Sequence, residues 1–447
     1  MNNLDEYQRY AVEATTNTLL IAGAGAGKTY TIINKIAYLL NNKICKEEEI
    51  LILSFTNKSV NDLKEKITAN CDILTFHKLA INILNDYHIT YNLVNPNYLN
   101  YITNEYFYSL NDKEQIELLQ YFHEYNYQIF LKSYKYQEFI KLIITIINIF
   151  KTNANTKEDF IKLFKKNSFL SKWAYIIKNI YESELLSTNS MDFDDLIINA
   201  TNILNKYYKY KYIIVDEFQD TSKIRFNLIN KLRILNNATL FCVGDDYQSI
   251  YHFSGCDLDL FLNFQKYVPN SQVIHLKHIY RNSQELINTC TTFIMKNNKQ
   301  IKKELISNKH INKPIKIIYY INPKKAFKKL YNKLNNDCLV LGRNNNDINY
   351  YTDNPVNYMT IHSSKGLEAD NVIIINLTNK KYGFPNQIIN HKLIEQLHPT
   401  TKEMLYAEER RLFYVALTRT KNYVYLLVPL FNKSIFVKEI KKLSTIR

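Results

Sequence analysis

The fold class can be read from one segment, Leu19-Leu-Ile-Ala-Gly-Ala-Gly-Ala-Gly-Lys-Thr29, and from what surrounds it. An apolar run enters a glycine-rich turn, and residues 31–40 follow with helical periodicity. A strand, a tight turn and a helix in that order predict a phosphate-binding loop. The usual pattern has Gly where this chain has Ala22. A glycine-rich turn of this kind is also compatible with a simple tight connection between a strand and a helix. In this loop, backbone N–H groups would surround phosphate oxygens, Lys28 would neutralise the β- and γ-phosphates, and Thr29 would hold Mg²⁺.

A second apolar segment ends in two carboxylates: Tyr212-Ile-Ile-Val-Asp-Glu-Phe-Gln-Asp-Thr-Ser222. Asp216 can hold a metal ion through its hydration shell, and Glu217 can polarise a water for attack on a γ-phosphate. Carboxylates at a strand end are also compatible with a solvated terminus, but the phosphate-binding pattern favours the chemical interpretation. The two segments together predict a site that hydrolyses a nucleoside triphosphate.

Length and charge limit the class of protein. A chain of 447 residues exceeds what one hydrophobic core usually serves, so two or three domains are expected. Lys and Arg number 57 against 42 for Asp and Glu, and the net charge of +15 would attract a polyanion. Solubility or AT-rich coding also explains this excess, so it supports nucleic-acid binding weakly. Residues 296–333 hold twelve lysines and one acid, Glu304, which predicts a solvated face or an edge that follows phosphates.

Cysteine spacing and hydropathy indicate the compartment. Six cysteines lie far apart without a C-x-x-C pair, which favours a reducing environment. The N-terminus is acidic and polar, and the longest apolar run, 142–150, is about half a membrane span. We expect a soluble cytoplasmic protein with no membrane partner. His275 and His278 lack further ligands nearby in sequence, so a metal site there is disfavoured.

Short Ile/Leu/Val runs between helical patterns indicate parallel sheets covered on both faces. The first series of predicted strands is 18–22, 50–55, 73–76, 212–215 and 239–243. The second series is 272–276, 315–320, 338–341, 356–361, 371–377 and 423–428. The prediction is an α/β protein with two sheets and a helical insertion in the first. The predicted domains are 1–78 with 190–270, the helical insertion 79–189, and 271–447.

Polar and aromatic groups follow the predicted strand 239–243. Gln248 could sense a γ-phosphate, while Tyr251 and Phe253 could stack on bases. Cations come later in the chain, in the segments that hold Arg281, Arg343 and Arg419. A guanidinium from another domain that stabilises transition-state charge would couple hydrolysis to domain movement. Each arginine alone is more typical of a surface ion pair, but that interpretation does not explain the ordered set.

The order of these segments resembles that of superfamily 1 helicases of the UvrD/Rep/PcrA group, over nearly the whole chain. The matching segments are the Q motif at 4–8, motif I at 22–29, Ia at 54–58, Ib at 75–77, the family's DFDDL segment at 192–196, II at 215–222, III at 243–255, IV at 280–283, IVa at 339–345, V at 360–368 and VI at 408–421. So many collinear matches make chance resemblance implausible.

The resemblance implies two RecA-like domains of the P-loop NTPase class, with ATP and Mg²⁺ in their cleft and single-stranded DNA across their tops. Gln8 would read the adenine, Tyr280 would stack on it, and Glu368 would hold the ribose. The other nucleotide-binding residues implied are Ala22, Gly23, Ala24, Gly25, Ala26, Gly27, Lys28, Thr29 and Tyr30. The implied catalytic residues are Lys28, Glu217, Gln248, Arg281 and Arg419, with Arg281 and Arg419 as arginine fingers. The metal residues are Thr29 and Asp216, and those on the DNA side are Phe55, Asn57, His77, Tyr251, Phe253 and His362.

The chain departs from this family in several places. Tyr30 stands where an arginine is usual, Tyr247 where an aspartate is common, and Phe253-Ser254 where Trp-Arg is usual. Only about ten residues, 347–356, separate motifs IVa and V, so we expect a compact form without the large accessory insertion. The chain also ends soon after motif VI, and a nuclease domain is not expected.

The predicted function is an ATP-dependent 3′ to 5′ DNA helicase or translocase. Its expected partners are single-stranded DNA and tailed or forked duplexes, and it would act as a monomer or in loose self-association. One alternative is a DNA-stimulated translocase that displaces proteins without unwinding. Another, suggested by Ser254, is a DNA-binding or loading partner that uses ATP but hydrolyses it weakly. A small-molecule P-loop kinase would leave motifs III to VI unexplained.

Overall fold

The computed structural model describes residues 4–153, 168–251, 255–387 and 406–445, which form two parallel sheets and a cluster of helices. The first sheet has the order β3-β2-β6-β7-β1-β8. Its strands are β1 Thr18–Ile21, β2 Ile50–Ser54, β3 Asp72–Thr75, β6 Tyr212–Val215, β7 Thr239–Gly244 and β8 Gln272–His275. Four of them, β1, β2, β6 and β7, are continuous apolar runs in which nearly every residue is buried, as expected for a parallel sheet covered on both faces.

The second sheet has the order β11-β10-β12-β13-β9, again with parallel pairing. Its strands are β9 Ile315–Tyr320, β10 Leu339–Gly342, β11 Tyr358–Thr360, β12 Ala369–Ile374 and β13 Thr420–Pro429. Between β10 and β11 the chain forms a 3₁₀ turn, Asp347–Tyr350, and a short loop. A small parallel pair, β4 Asn92–Leu93 with β5 Ser190–Met191, is separate from both larger sheets.

The structure corrects one predicted strand assignment. Residues 272–276 were expected in the second sheet, but β8 pairs with β1 in the first, in the register Thr18↔Gln272. Ile274 packs in the same core cluster as Leu20, and the Leu276 N–H donates to the Ile21 carbonyl at 2.8 Å. The prediction was wrong because a strand's position along the chain does not reveal the sheet edge at which its backbone pairs.

Helices cover the sheets and form the cluster. Those before β6 are α1 Glu6–Glu13, α2 Lys28–Asn41, α3 Asn57–Lys66, α4 Phe76–Asp86, α5 Tyr98–Tyr108, α6 Asp112–Phe122, α7 Tyr127–Leu131, α8 Tyr134–Thr152, α9 Ser168–Ser187 and α10 Phe193–Ile203. Those after β6 are α11 Lys223–Asn236, α12 Asp259–Leu262, α13 Phe264–Tyr267, α14 Gln284–Ile294, α15 Pro323–Lys333, α16 Ala407–Leu417 and α17 Ile435–Thr445. No helix among the described residues is long and apolar enough to span a membrane.

The helical cluster lies between β3 and β6 in the chain and has its own apolar core. This core runs from Leu99 to Leu185, and Trp173 is fully buried in it. The longest helix of the cluster's first half, α8, ends beside the first turn of α10. At that end Lys151 pairs with Asp192 at 2.7 Å and with Asp195 at 2.6 Å. A side chain at Gly255, which has φ +83°, would overlap Thr152, so the α8 terminus closely approaches motif III.

One hydrophobic core joins elements of both sheets. Ala24 and Tyr247, which follow strands of the first sheet, are buried in the same cluster as α14, α16 and β12. The Tyr247 and Tyr414 rings meet edge to face, with centroids 5.3 Å apart. The phosphate-binding turn and motif III therefore lie directly against the second half of the chain.

Candidate active site

The glycine-rich segment forms the turn that the sequence predicts. β1 ends at Ile21, α2 begins at Lys28, and the turn between them holds Gly25 and Gly27 at φ +77° and +80°. These left-handed conformations favour glycine because a Cβ atom would clash with the backbone. The first N–H groups of α2 lack helical partners, and they point into the turn where phosphate would bind.

Lys28 and Glu217 meet at the centre of the site. The Lys28 Nζ atom lies 3.0 Å from both carboxylate oxygens of Glu217, and Gln219 donates to one of them at 2.5 Å. Burial alone would raise the pKa of Glu217, but the cations Lys28 and Lys365 hold it well below its usual range. Glu217 also has φ +52°, a strained conformation for a residue other than glycine. An ionised carboxylate therefore stands at the end of β6, already paired with cations.

Asp216 is placed differently from its neighbour. It is buried, and burial together with the adjacent Glu217 charge raises its pKa to about 6. Its Oδ1 atom accepts the Glu217 N–H at 2.9 Å. Among the described residues, no group of three or more His, Cys, Asp or Glu could hold a metal ion. A single carboxylate with the Thr29 hydroxyl fits Mg²⁺, which takes few protein ligands beside water and phosphate oxygens.

Three residues far apart in sequence surround Gly27. A Cβ built on Gly27 would lie 2.8 Å from Gln8 Nε2 and 3.8 Å from atoms of both Tyr280 and Tyr30. Gln8 also donates to the Ala26 carbonyl at 3.3 Å, and Asp5 caps α1 through the Gln8 N–H. The Tyr280 hydroxyl donates to Asp5 at 2.6 Å. The predicted adenine-contacting residues are therefore neighbours beside the phosphate-binding turn.

The two predicted arginine fingers reach the same place. A Cβ on Gly25 would lie 2.5 Å from the Arg281 Cβ, and the Arg281 Nε atom pairs with Glu368 at 2.7 Å. Arg419 is fully buried and donates to the Gln248 Oε1 atom at 2.8 Å. Burial, together with the Arg281 charge, lowers the pKa of Arg419 to about 9. The site therefore gathers cations from both sides of the cleft.

Lys365 is a site residue that sequence reasoning missed. Its Nζ atom pairs with Asp220, lies 3.6 Å from Glu217 and donates to the Gln248 carbonyl at 3.1 Å. It belongs to motif V, in which only His362 and Glu368 were assigned roles. The signal was present, because a lysine three residues before a predicted ribose contact has a side chain long enough to reach the phosphate end.

Three of the six predicted DNA-side residues, Phe55, Tyr251 and His362, form a second cluster. The Phe55 and Tyr251 rings stack with centroids 5.4 Å apart, and Tyr251 donates to the His362 carbonyl at 3.2 Å. The Arg225 guanidinium, which was not predicted, lies 4.7 Å from the Phe55 ring centroid. Burial and Arg343 lower the pKa of His362 to about 4, so this imidazole is neutral at pH 7.

The remaining DNA-side predictions differ in their surroundings. His77 packs edge-on against Phe193, with ring centroids 5.3 Å apart, and burial and Arg225 lower its pKa to about 4. Asn57 is exposed in the first turn of α3. Phe253 lies outside the described residues, as does Ser254. The roles of all these residues stay predictions.

Comparison with known families agrees with this geometry. The model of the UvrD/REP helicase N-terminal domain matches residues 4–269, more than half of the chain. The chain belongs to the UvrD/REP helicase family. A second model, the UvrD-like helicase C-terminal domain, matches residues 320–429. These matches and the two parallel sheets confirm the predicted α/β class with RecA-like P-loop domains.

Several relatives in this family are similar over long stretches. ATP-dependent DNA helicase Rep of Buchnera aphidicola subsp. Schizaphis graminum is 30% identical over 82% of this chain and 54% of its own length. DNA helicase IV of Escherichia coli is 29% identical over 98% of this chain and 69% of its own. ATP-dependent DNA helicase PcrA of Staphylococcus aureus is 29% identical over 68% and 42%. The chain therefore spans about half the length of most of the UvrD/REP relatives named here.

Proposed function

We propose that this protein is an ATP-dependent DNA helicase that moves 3′ to 5′ along single-stranded DNA. The observation that carries the proposal is one cluster of charged residues, in which Lys28 pairs with Glu217, Arg281 lies against Gly25 of the same turn, and the charges of Glu217 and Arg281 act on the buried Arg419. Because residues from both halves of the chain would contact the same nucleotide, its hydrolysis would change the contacts between the two halves. Hydrolysis would then open the cleft and advance the strand.

The side chains divide the work on ATP. Gln8 and Tyr280 hold adenine, Glu368 holds the ribose, and the 22–29 turn with Lys28 binds the phosphates. Glu217 orients and polarises the attacking water, because its low pKa keeps the carboxylate ionised as an acceptor and it lies beside the phosphate-binding Lys28. Arg281, Arg419 and Gln248 stabilise charge on the transferred phosphoryl group. Mg²⁺, held by Thr29 and Asp216, supplies charge neutralisation to the phosphates when bound.

The aromatic cluster supports a DNA path beside this pocket. Phe55, Tyr251 and His362 form one connected group, and Tyr251 is three residues from Gln248. Base stacking on such rings is tolerant of sequence, as a strand-tracking motor requires. We extend the proposal to tailed and forked duplexes as substrates. We also propose three domains, the first formed by 1–78 and 190–275 so that it includes β8, the second by 79–189, and the third by the chain after β8.

One set of assays tests the proposal. ATPase activity is measured without nucleic acid, with single-stranded DNA and with single-stranded RNA, beside unwinding of duplexes with 3′ or 5′ tails. We expect stimulation by DNA and unwinding of the 3′-tailed duplex only. Stimulation without unwinding of either substrate would favour a protein-displacing translocase. Turnover near zero in all conditions would reject the helicase in favour of an ATP-dependent loading partner.

A further inference from the structure

A lysine in the lysine-rich segment 296–333 is buried rather than solvated. Lys303 is 7% exposed, and its Nζ atom pairs with Asp245 and lies 2.6 Å from Asp246. Both aspartates are fully buried and belong to motif III. Neither a solvated face nor a phosphate-following edge, the two sequence-based interpretations of this segment, describes Lys303. A buried ammonium between two buried carboxylates has to compensate their charge, because removing it would leave charges without a partner.

The segment around Lys303 is fixed to motif III at several points. The Asp246 carboxylate accepts the Gln300 side chain at 3.1 Å and the Ile301 N–H at 2.9 Å. The Tyr247 hydroxyl donates to the Ile301 carbonyl at 2.8 Å, and Lys303 Nζ lies 3.9 Å from the Tyr247 ring centroid. Tyr247, which replaces the usual aspartate, therefore completes the contact between motif III and residues 300–303.

Asp245 connects Lys303 to the reacting end of the site. Its Oδ2 atom accepts the Gln248 side-chain amide at 2.6 Å, which leaves the Gln248 Oε1 atom directed to Arg419 at 2.8 Å. The Asp245 N–H donates to Gln219 at 2.9 Å, and Gln219 donates to Glu217. Asp245 is therefore linked by hydrogen bonds both to the Gln248–Arg419 pair and, through Gln219, to Glu217. Lys303 itself contacts none of Lys28, Glu217, Arg281 or Arg419 through any hydrogen bond or ion pair found among the described residues.

We propose that Lys303 is a positioning residue for ATP hydrolysis, which fixes the Asp245 carboxylate in place through their ion pair so that Gln248 and Arg419 hold their catalytic geometry. The inference rests on the proposed ATPase function. It places residues 300–303, which follow helix α14 of the second half, as a link between motif III and the cleft. Lys303 also lies 3.5 Å from the carbonyl oxygen of Ala22, the first residue of the phosphate-binding turn. Because its closer partners are the motif III carboxylates, a positioning role predicts a loss of kcat much larger than any loss of nucleotide affinity.

The test compares Lys303→Met with Lys302→Met, an exposed lysine at the adjacent position. DNA-stimulated kcat, KM for ATP, affinity for a fluorescent ATP analogue, and Tm are measured for each. We expect kcat of K303M to fall about a hundredfold, with much smaller changes in KM and in analogue affinity. K302M should match the wild type throughout. A kcat of K303M equal to the wild type would overturn the inference.

A second variant separates positioning from folding. Lys303→Met combined with Asp246→Asn removes one of the two uncompensated carboxylates, so its Tm should rise above that of K303M while kcat stays low. Recovery of kcat together with Tm would show that Lys303 only stabilises the fold, and would overturn the inference. Inactive wild type would instead reject the proposed function, which keeps the two failures distinct.

Discussion

The Lys28 ammonium donates to both carboxylate oxygens of Glu217, so the residue predicted to activate water is paired with the residue predicted to bind phosphate. Glu217→Gln keeps the volume and one acceptor but cannot take a proton. We expect ATP binding to persist and DNA-stimulated turnover to fall by about 10²–10⁴. Steady-state ATPase and analogue binding measure the two effects. Lys28→Ala is the comparison and should lose both. Normal turnover in the E217Q variant would refute the role given to Glu217.

Asp194 offers a test of pH dependence away from the reacting groups. Burial and the neighbouring Asp192 raise its pKa from 3.8 to about 6. The unfolded chain therefore ionises first, so stability falls as pH rises from about 4 to 6 and the penalty is complete above 6. Asp194→Asn should raise the free energy of unfolding by about 1–3 kcal/mol at pH 8, and by less at pH 4.5. Denaturant unfolding at both pH values measures this. An equal increase in the free energy of unfolding at both pH values would show that ionisation of Asp194 is not the cause.

Side-chain chemistry was predictable where one segment contains the whole signal. The 22–29 turn could be interpreted from its own residues, and it in turn decided the interpretation of Asp216 and Glu217; the structure has Lys28 beside Glu217. Lys303 could not be found in this way. Its two carboxylates lie more than fifty residues earlier, so in sequence it is one of twelve lysines in a basic stretch. A charged side chain can be buried only if a partner of opposite charge lies beside it, and a partner distant in sequence is brought there only by folding.

Helix α1 shows how a cap can serve a binding site. Asp5 accepts the Gln8 N–H at 2.8 Å, the Gln8 side chain accepts the Asp5 N–H at 3.3 Å, and Tyr280 donates to the same carboxylate. Asp5→Ala removes the cap and should cost about 0.5–2 kcal/mol of stability. It should also raise KM for ATP with kcat nearly unchanged, because Gln8 and Tyr280 lose their support. Asp5→Asn, which preserves an acceptor, is the control. An unchanged KM in D5A would separate the cap from nucleotide binding.

Strands were the most predictable elements and pairing was the least. Apolar runs located the strands of both sheets to within a few residues, because burial on both faces demands such runs. The run 272–276 was equally clear, yet it joins β1 rather than the second sheet. An apolar run indicates that a strand is buried. Which strand it pairs with depends on the path of the chain before it, here through residues 243–271. The helical stretch was recognisable for the complementary reason, since its apolar positions repeat with helical periodicity.

The two halves of the chain meet at the nucleotide pocket through both charge and packing. Arg281 and Arg419 supply cations there, and Tyr247 and Ala24 lie in the core formed by α14 and α16. Packing of this kind is bistable rather than continuously deformable, so loss of a phosphate contact can favour a second arrangement. The aromatic cluster at Phe55 and Tyr251 follows directly from motif III, and would move with it.

DNA affinity should separate into a charge component and a stacking component. With a net charge of +15, the logarithm of the single-strand association constant should fall linearly with the logarithm of salt concentration, at about 0.7 per phosphate contact. Phe55→Ala should weaken binding by about 1–3 kcal/mol at every salt concentration without changing that slope. Lys58→Gln, an exposed lysine three residues away, should reduce the slope by roughly 1. Fluorescence anisotropy across a salt series measures both. A changed salt slope in F55A would contradict this division, because a neutral ring releases no counterions. A K58Q slope equal to that of the wild type would also contradict it, because a lysine that binds a phosphate releases counterions.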